Sequence, residues 1–198
     1  MNPTRGIQRP KFDNLRQRFL SSEEAGRLLK AANKSLNVQL RPLVELLLLT
    51  GARLGELLRA EWSHLDLDRR SWLIPVTKTG KSRYVPLAQA AIDIFKKLPK
   101  YEECPYAIPN PETRKPYVTI KHAWQTARDE AQLPNLRIHD LRHSFASQAA
   151  GAGVDLLAIS RILGHADYKS TLMYSHFAGE TLLSAVEAGA SKLSAQWG

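Results

Sequence analysis

The sequence is poor in cysteine, in acidic residues and in long apolar stretches. Its single cysteine, Cys104, excludes an internal disulfide and suits a reducing compartment. The longest leucine run covers residues 46–49, far short of the roughly 20 apolar residues that a membrane span needs. The opening residues, MNPTRGIQRPKF, include basic side chains but lack the apolar region of a secretory signal. We therefore expect a globular cytoplasmic protein with no membrane association.

What the sequence has in excess is positive charge. Its 198 residues hold 28 Lys and Arg against 19 Asp and Glu, which gives a formal net charge of +9. The hydrophobic fraction of 43% is enough for the core of one domain. Such a charge indicates either a polyanionic partner, most simply nucleic acid, or a basic solvated surface. Residues 1–20 are basic and poor in core residues, which predicts an arm or linker.

The hydrophobic pattern predicts an α+β domain over residues 21–178, mostly helical and packed around a small antiparallel three-stranded sheet. Helix starts and stops, together with apolar periodicity, mark the helices. Branched and aromatic runs at 62–67, 71–76 and 82–87 indicate the strands, joined as two hairpins. The predicted helices cover residues 21–33, 38–49, 53–58, 87–98, 118–131, 139–150, 156–163, 171–176 and, in a C-terminal tail over 179–198, residues 181–193.

One short motif draws attention to the chemistry. His139 and Arg142 are three residues apart, which places them on one face of a helix. A His-x-x-Arg pair arises readily by chance in a chain of this composition, so the pair alone does not indicate a function. It stands, however, at the start of HDLRHSFASQAAGAGVDLLAISRILGHADYKSTLMYSHF, residues 139–177. This stretch adds a glycine-rich turn, Leu-Gly-His and a tyrosine nine residues after that histidine.

The ordered set of motifs resembles the catalytic domain of the tyrosine recombinase, or phage integrase, family. TGARLGELL, residues 50–58, is similar to the first arginine box of the family, and VTKTGKSRYVPL, residues 76–87, to its lysine hairpin. The resemblance covers residues 21–177. It implies the integrase catalytic fold and a site-specific recombinase that cleaves and rejoins DNA through a 3′-phosphotyrosine. It implies no metal and no nucleotide cofactor.

The resemblance assigns six catalytic positions and one supporting residue. The arginines suit the non-bridging oxygens of a phosphodiester, because a planar guanidinium binds them bidentately. The histidines suit phosphate binding or movement of the phenolic proton, and the lysine protonates the departing 5′-oxygen. Lys81 is an alternative to Lys78 for that lysine. The six positions are Arg53, Lys78, His139, Arg142, His165 and the nucleophile Tyr174, and the supporting residue is Glu56.

Other polar and aromatic residues receive simpler interpretations. We expect a core position for Trp62 and Trp72, whereas Trp124 is left open. Four basic residues are predicted DNA-phosphate contacts, with a solvated surface position as the alternative for each. They are Arg137, Arg161, Lys169 and Lys121. Among the remaining histidines, structural or surface positions are predicted for His64, His122, His143 and His176.

The implied partners follow from the same resemblance. They are double-stranded DNA, further copies of the chain in a tetramer on DNA, and accessory proteins that bend DNA, in a bacterial cell or phage-infected host. The C-terminal tail, 179–198, is expected to dock on a neighbouring protomer or to pack in cis. Members of the family carry an N-terminal core-binding domain, whereas about 20 residues precede the catalytic region here. The chain is therefore expected to be either a fragment or a minimal enzyme.

Three alternatives stay open. The first is a DNA-binding fragment or regulator that is inactive alone, and the second is a nicking–closing enzyme of the type IB topoisomerase kind. The third is a metal-dependent hydrolase, because His139 and His143 are four residues apart on a helix. Asp140, His165 and His176 would complete its ligands. That hydrolase leaves the two arginines and the tyrosine unexplained.

Overall fold

The computed structural model describes residues 18–75, 82–165, 167–178, 186–187 and 190–191. Most of the predicted arm, the hairpin tip that carries Lys78 and Lys81, and most of the C-terminal tail lie outside the described residues. The helices are α1 Ser22–Asn33, α2 Leu40–Thr50, α3 Leu54–Leu57, α4 Gln89–Lys97, α5 Lys121–Glu130, α6 Ile138–Gly151, α7 Leu156–Leu163 and α8 Lys169–Leu172, with 3-10 turns at Trp62–His64 and Ser175–Ala178.

A small antiparallel sheet follows α3. Its strands β1 Leu65–Asp66, β2 Ser71–Ile74 and β3 Arg83–Pro86 are arranged in the order β1-β2-β3. Trp72 lies opposite Leu65 on one side and Val85 on the other, and its side chain is almost fully buried. The predicted three-stranded meander is therefore confirmed.

The first strand is shorter than the sequence predicts. Residues 62–64 form a 3-10 turn, so β1 begins at Leu65. The backbone N–H of Trp62 donates to the carbonyl of Pro105 at 2.9 Å, and Glu61 forms an isolated bridge with Tyr106. Because these backbone groups bond to the loop before α5, they are not available to extend the sheet.

The boundaries of the first helices follow from local chemistry. Ser21 caps α1 in a reciprocal capping box with Glu24, as the hydroxyl and carboxylate pattern predicts. Helix α2 begins at Leu40 rather than at residue 38, because the side chain of Asn37 accepts a hydrogen bond from the backbone N–H of Gln39 and forms a turn there. Val38 is accordingly 72% exposed.

Two hydrophobic clusters lie on either side of α6. The larger one joins α1, α2, α4, α5 and the sheet, and Trp72, Trp124 and Leu141 are among its buried members. The smaller one contains five buried residues from α6, α7 and the segment after α8. They are Ala146, Ala150, Ile159, Leu163 and Tyr174.

The described residues that precede Ser21 pack against the rest of the chain. The side chain of Leu20 is buried, and its backbone N–H donates to the Ser144 hydroxyl at 2.9 Å. Phe19 packs edge-on against Phe177 with ring centroids 4.9 Å apart. The last three residues of the predicted arm therefore belong to the domain. Within the described part of the chain, no helix combines the length and apolar character that a bilayer crossing needs.

Candidate active site

Three arginines, Arg53, Arg83 and Arg142, converge on the C-terminal end of α7 and are called here the arginine cluster. The consecutive carbonyls of residues 162–164 accept hydrogen bonds from Arg83 at 3.0 Å, Arg142 at 2.8 Å and Arg53 at 3.4 Å, in that order. The last carbonyls of a helix have no partner within the helix and carry its partial negative charge. A guanidinium group donates hydrogen bonds to these carbonyls and its positive charge complements their partial negative charge. The end of α7 therefore holds the three arginines close together.

One carboxylate holds two of these arginines. Glu56 receives two hydrogen bonds from Arg83, at 2.7 and 2.9 Å, and one from the guanidinium of Arg53 at 2.9 Å. It also accepts the backbone N–H of Arg53 at 2.8 Å, which closes the N-terminus of α3. Burial raises the pKa of Glu56, but the hydrogen bonds from both arginines and the charge of Arg83 outweigh it and lower that pKa to about 2. Glu56 is therefore fully ionised at neutral pH.

Arg142 is the most deeply buried member of the cluster. It is 3% exposed, and its second terminal nitrogen donates to the carbonyl of Gly51 at 2.8 Å. Burial, together with the charges of Arg53 and Arg83, lowers the pKa of Arg142 to about 10. The group remains charged at neutral pH. Within the described part of the chain its hydrogen bonds use two of five N–H donors, so the fork keeps donors for an anion.

Two predicted histidines flank the cluster. His165 follows Gly164, the residue that caps the C-terminus of α7, and its Nδ1 lies 2.7 Å from the hydroxyl of the buried Thr171. His139 lies exposed in the first turn of α6. Partial desolvation of the His139 ring together with the charge of Arg142 lowers the pKa of His139, and burial and the same charge lower the pKa of His165 to about 4. A ring with that pKa is uncharged at neutral pH, so it donates or accepts hydrogen bonds without adding positive charge.

The predicted nucleophile lies between α8 and the last 3-10 turn. Tyr174 is 1% exposed, and its hydroxyl lies 2.6 Å from Nδ1 of His143. Burial raises the pKa of Tyr174 to about 12, although the charge of Arg142 opposes this. The ring of His143 in turn stands edge-on to His139, with ring centroids 4.9 Å apart. The tyrosine is therefore a protonated phenol in contact with a histidine.

The structure brings together five of the six predicted catalytic positions. The backbone at the end of α7 links the two predicted arginines to His165, and α6 carries Arg142, His139 and the histidine that contacts Tyr174. The sixth position, Lys78, lies outside the described residues, as does its alternative Lys81. Glu56, predicted as a supporting residue, joins the first arginine to the sheet.

Sequence reasoning missed three residues of this site. Arg83 binds Glu56 from 27 positions away, and no motif pointed to it. Thr171 orients His165. His143, interpreted from the sequence as structural, contacts the hydroxyl of Tyr174. Its spacing of four residues from His139 was a usable signal, because that spacing places both rings on one face of α6.

The predicted phosphate contacts fall into two groups. Lys121, Arg161 and Lys169 are exposed, and in the portion the structure covers none of them forms an ion pair with a carboxylate. Arg137 instead binds the buried Asp140, with its terminal nitrogen 2.8 Å from one carboxylate oxygen. This pair closes the N-terminus of α6, so Arg137 has a structural role that the sequence did not reveal.

The ligands of the alternative metal-dependent hydrolase do not assemble in the described part of the chain. Over those residues, no group of three or more His, Cys, Asp or Glu side chains is arranged to hold a metal ion. The Nδ1 atoms of His143 and His165 face the hydroxyls of Tyr174 and Thr171. These histidines therefore face hydroxyl groups instead of one another.

Known proteins share this fold and these sequence patterns. A model of the phage integrase family matches residues 18–180. A shufflon-specific DNA recombinase of Escherichia coli is 30% identical over 191 residues, which cover 94% of this chain and 47% of that protein. Tyrosine recombinase XerD of Caulobacter vibrioides is 31% identical over 204 residues, with 94% and 66% covered. The catalytic domain of bacteriophage HP1 integrase is 30% identical with a TM-score of 0.69, over 85% of this chain and 93% of that one.

The mostly helical architecture around a three-stranded antiparallel sheet is therefore the integrase catalytic fold, which confirms the predicted fold class. The chain belongs to the phage integrase family, the tyrosine recombinases, as its motifs predict. It spans between about half and two thirds of the length of the curated relatives it matches.

Proposed function

We propose that this chain cleaves and rejoins DNA strands at a specific site, with Tyr174 as the nucleophile and a 3′-phosphotyrosine as the intermediate. The observation that carries the proposal is the arginine cluster beside a buried tyrosine. Two of the three guanidiniums share one bonded carboxylate, Glu56, and burial together with repulsion from Arg53 and Arg83 lowers the pKa of Arg142. A phosphodiester would relieve that repulsion.

The electrostatics favour the transition state over the bound substrate. Negative charge grows on the non-bridging oxygens as the phosphorus becomes pentacoordinate, and fixed donors stabilise that charge without reorganising. Arg53 and Arg142 are fixed in this way by the carbonyls at the end of α7. His165, which is uncharged at neutral pH, and His139, whose pKa is also lowered by burial and by Arg142, supply further hydrogen bonds to phosphate oxygens.

The reaction is a balanced exchange of two phosphodiesters. The phenolic oxygen of Tyr174 forms a bond to phosphorus, the bond from phosphorus to the 5′-oxygen breaks, and Lys78 protonates the departing oxygen. Attack by the 5′-hydroxyl of another strand reverses these steps and exchanges the strands. Because the phosphotyrosine keeps the energy of the original bond, rejoining needs no nucleotide, and the side chains named here supply the chemistry without a metal.

The wider assembly is part of the proposal. The substrate is double-stranded DNA, and the E. coli relative is named a DNA recombinase. Exposed Lys121, Arg161 and Lys169 are proposed phosphate contacts, and residues 1–17 a basic arm. The tail over residues 179–198 is proposed to dock on a neighbouring protomer in a tetramer on DNA, with accessory proteins that bend the DNA.

Trapping of the covalent intermediate tests the proposed function. The chain is incubated with a labelled pool of nicked duplexes whose bases around the nick are randomised, so that no recognition site has to be known. Cleavage next to the nick releases a short 5′-hydroxyl fragment that diffuses away, and the protein stays attached to the DNA. We expect a covalent protein–DNA band on a denaturing gel, undiminished by excess EDTA and absent with Tyr174→Phe. His122→Asn, an exposed substitution on α5, is the matched control and should leave the band unchanged.

Three outcomes would contradict the proposal. An undiminished band with Tyr174→Phe would move the nucleophile elsewhere, and loss of the band in EDTA would favour metal-dependent chemistry. Failure of the wild-type chain to form any band would favour a DNA-binding fragment that is inactive alone. The sequences recovered from the adducts then give the recognition site directly.

A further inference from the structure

Within the part of the chain that the structure describes, the hydroxyl of the proposed nucleophile contacts an imidazole nitrogen and no guanidinium. The Oη of Tyr174 and the Nδ1 of His143 are 2.6 Å apart, a short distance for a hydrogen bond of this kind. Tyr174 is 1% exposed, so bulk water has little access to its hydroxyl. A buried phenol that loses its proton therefore needs a protein acceptor, and His143 is in place.

We propose that His143 is the general base of cleavage: its Nδ1 accepts the phenolic proton of Tyr174 as the phenolic oxygen bonds to phosphorus. The inference rests on the proposed function, since it assigns one further step of the same reaction. The O–H bond of the phenol breaks, an N–H bond forms on Nδ1, and the imidazolium returns this proton when the 5′-hydroxyl of a strand displaces the tyrosine. No additional reactant is needed.

The other histidines of the site are less well placed for this step. The Nδ1 of His165 lies 2.7 Å from the Thr171 hydroxyl. The ring of His139 contacts the ring of His143 edge-on, with centroids 4.9 Å apart. Geometry therefore separates the roles: His139 and His165 are left to bind phosphate oxygens, and His143 serves the nucleophile.

The surroundings of His143 keep its ring uncharged before DNA binds. Burial and the neighbouring His139 lower the pKa of His143 to about 4, so at neutral pH it is an acceptor. A bound phosphate would offset the arginine charges and strengthen the base at the moment it is needed. The titratable and charged groups that act on this ring or on its partner are Arg137 at the N-terminal cap of α6, His139, Asp140 and Arg142 on α6, and His165 and Tyr174 beyond α7.

Single-turnover cleavage of the nicked duplexes tests whether His143 takes up the phenolic proton or only positions Tyr174 through a hydrogen bond. His143→Asn places an amide near Nδ1, which still accepts a hydrogen bond from the phenol but does not take up its proton. We expect the cleavage rate to fall by about 10²-fold or more, the usual contribution of general acid–base catalysis. Fluorination of the Tyr174 ring makes the phenol more acidic and should shrink this defect. His122→Asn again serves as the control.

A second substrate distinguishes the base from the acid. A duplex with sulfur in place of the bridging 5′-oxygen has a leaving group that needs no protonation. This substrate should rescue Lys78→Ala and leave the defect of His143→Asn in place. A wild-type rate for His143→Asn, or rescue of that variant by the sulfur substrate, would overturn the proposal.

Nitrogen NMR of labelled wild-type chain tests the hydrogen bond without any activity. We expect Nδ1 of His143 to be the unprotonated acceptor and Nε2 to carry the hydrogen at neutral pH, with the Nδ1 resonance shifting in Tyr174→Phe. A protonated Nδ1, or a resonance that ignores Tyr174→Phe, would refute the inference. Failure of this inference can be told apart from failure of the proposed function. An absent covalent band with an unprotonated Nδ1 acceptor on His143 refutes only the proposed function.

Discussion

The two sides of the candidate site are built in different ways. On the arginine side, every guanidinium has protein partners and two of them share the buried carboxylate of Glu56. On the nucleophile side, Tyr174 sits between two four-residue segments and packs in the smaller hydrophobic cluster. One hydrogen bond, to His143, holds its hydroxyl.

The difference lies in how many polar groups hold each side in place. Donors for a developing charge are most effective when they are fixed before the reaction, and the arginine cluster meets that condition. The hydroxyl of Tyr174, by contrast, has a single hydrogen-bond partner among the described residues, and its ring is held by hydrophobic packing. We infer that the arginine side sets the geometry at the proposed phosphate site, and that the position of the tyrosine depends on His143 and on this packing.

The largest expected effect comes from removing Arg142. Arg142→Met leaves the carbonyls of Gly51 and Leu163 without their buried donor, at a cost of roughly 3 kcal/mol in the free energy of unfolding. The cleavage rate should fall by at least about 10²–10³-fold, because a fixed donor to the transition state is lost. Urea denaturation and single-turnover cleavage measure the two quantities.

Tyr174→Phe is the matched substitution on the nucleophile side of the site. It removes one hydrogen bond and should change the free energy of unfolding by only about 1 kcal/mol, although cleavage stops. Equal destabilisation by the two substitutions would show that the two sides are not built differently.

The next effect concerns the pH dependence of stability. The folded pKa of Glu56 is about 2, below its ordinary value of 4.5. Its contribution is therefore fully present above about pH 4.5 and is lost as the pH falls towards 2. Glu56→Gln should reduce the free energy of unfolding at neutral pH by roughly 3 kcal/mol, with little of this loss left near pH 2. Denaturation curves across this range measure it.

Glu24 provides the comparison within the same chain. Its pKa is also lowered, chiefly by the hydrogen bond from Arg18, but this pair is at the more exposed start of α1. Glu24→Gln should cost less than Glu56→Gln at neutral pH. If the two curves were superimposable, Glu56 would not be the anchor of the arginine side.

The smallest effect tests how closely Arg83 approaches the backbone. Gly164 has φ +66°, and a Cβ atom there would lie 2.6 Å from Cδ of Arg83. Gly164→Ala should therefore destabilise the fold by about 1–3 kcal/mol and disturb Arg83. Gly26→Ala, inside α1 with no atom within 4 Å of the added Cβ, should instead stabilise it by about 0.5–1 kcal/mol. Thermal unfolding measures both, and a neutral Gly164→Ala would argue against close packing at the end of α7.

Most of the fold could be predicted from local signals in the sequence. The capping box at Ser21 and the glycines that end α2 and α7 could be predicted from the sequence, because each depends on residues only a few positions away. The 3-10 turn at Trp62 could not be predicted in this way, because it depends on a backbone hydrogen bond to the distant Pro105.

The candidate site shows the same difference between residues that local sequence patterns reveal and residues that only contacts between distant parts of the chain reveal. The family motifs indicated the predicted residues, and α6 spacing placed His139 and Arg142 together. Arg83 was missed because its bond to Glu56 spans 27 positions. The contact of His143 with Tyr174 spans 31 positions and requires the packing of α6 against the final turn. Pairings of this kind depend on tertiary structure, which periodicity does not report.

Arg83 is the first residue of β3, directly after the segment that contains Lys78. Its guanidinium ties the base of that hairpin to Glu56 and to α7. The proposed proton donor for the leaving strand is thus tethered, by a few residues, to the same carboxylate that aligns the first arginine. A displacement of the hairpin base would therefore also shift Glu56 and the arginines that are proposed to bind the phosphate.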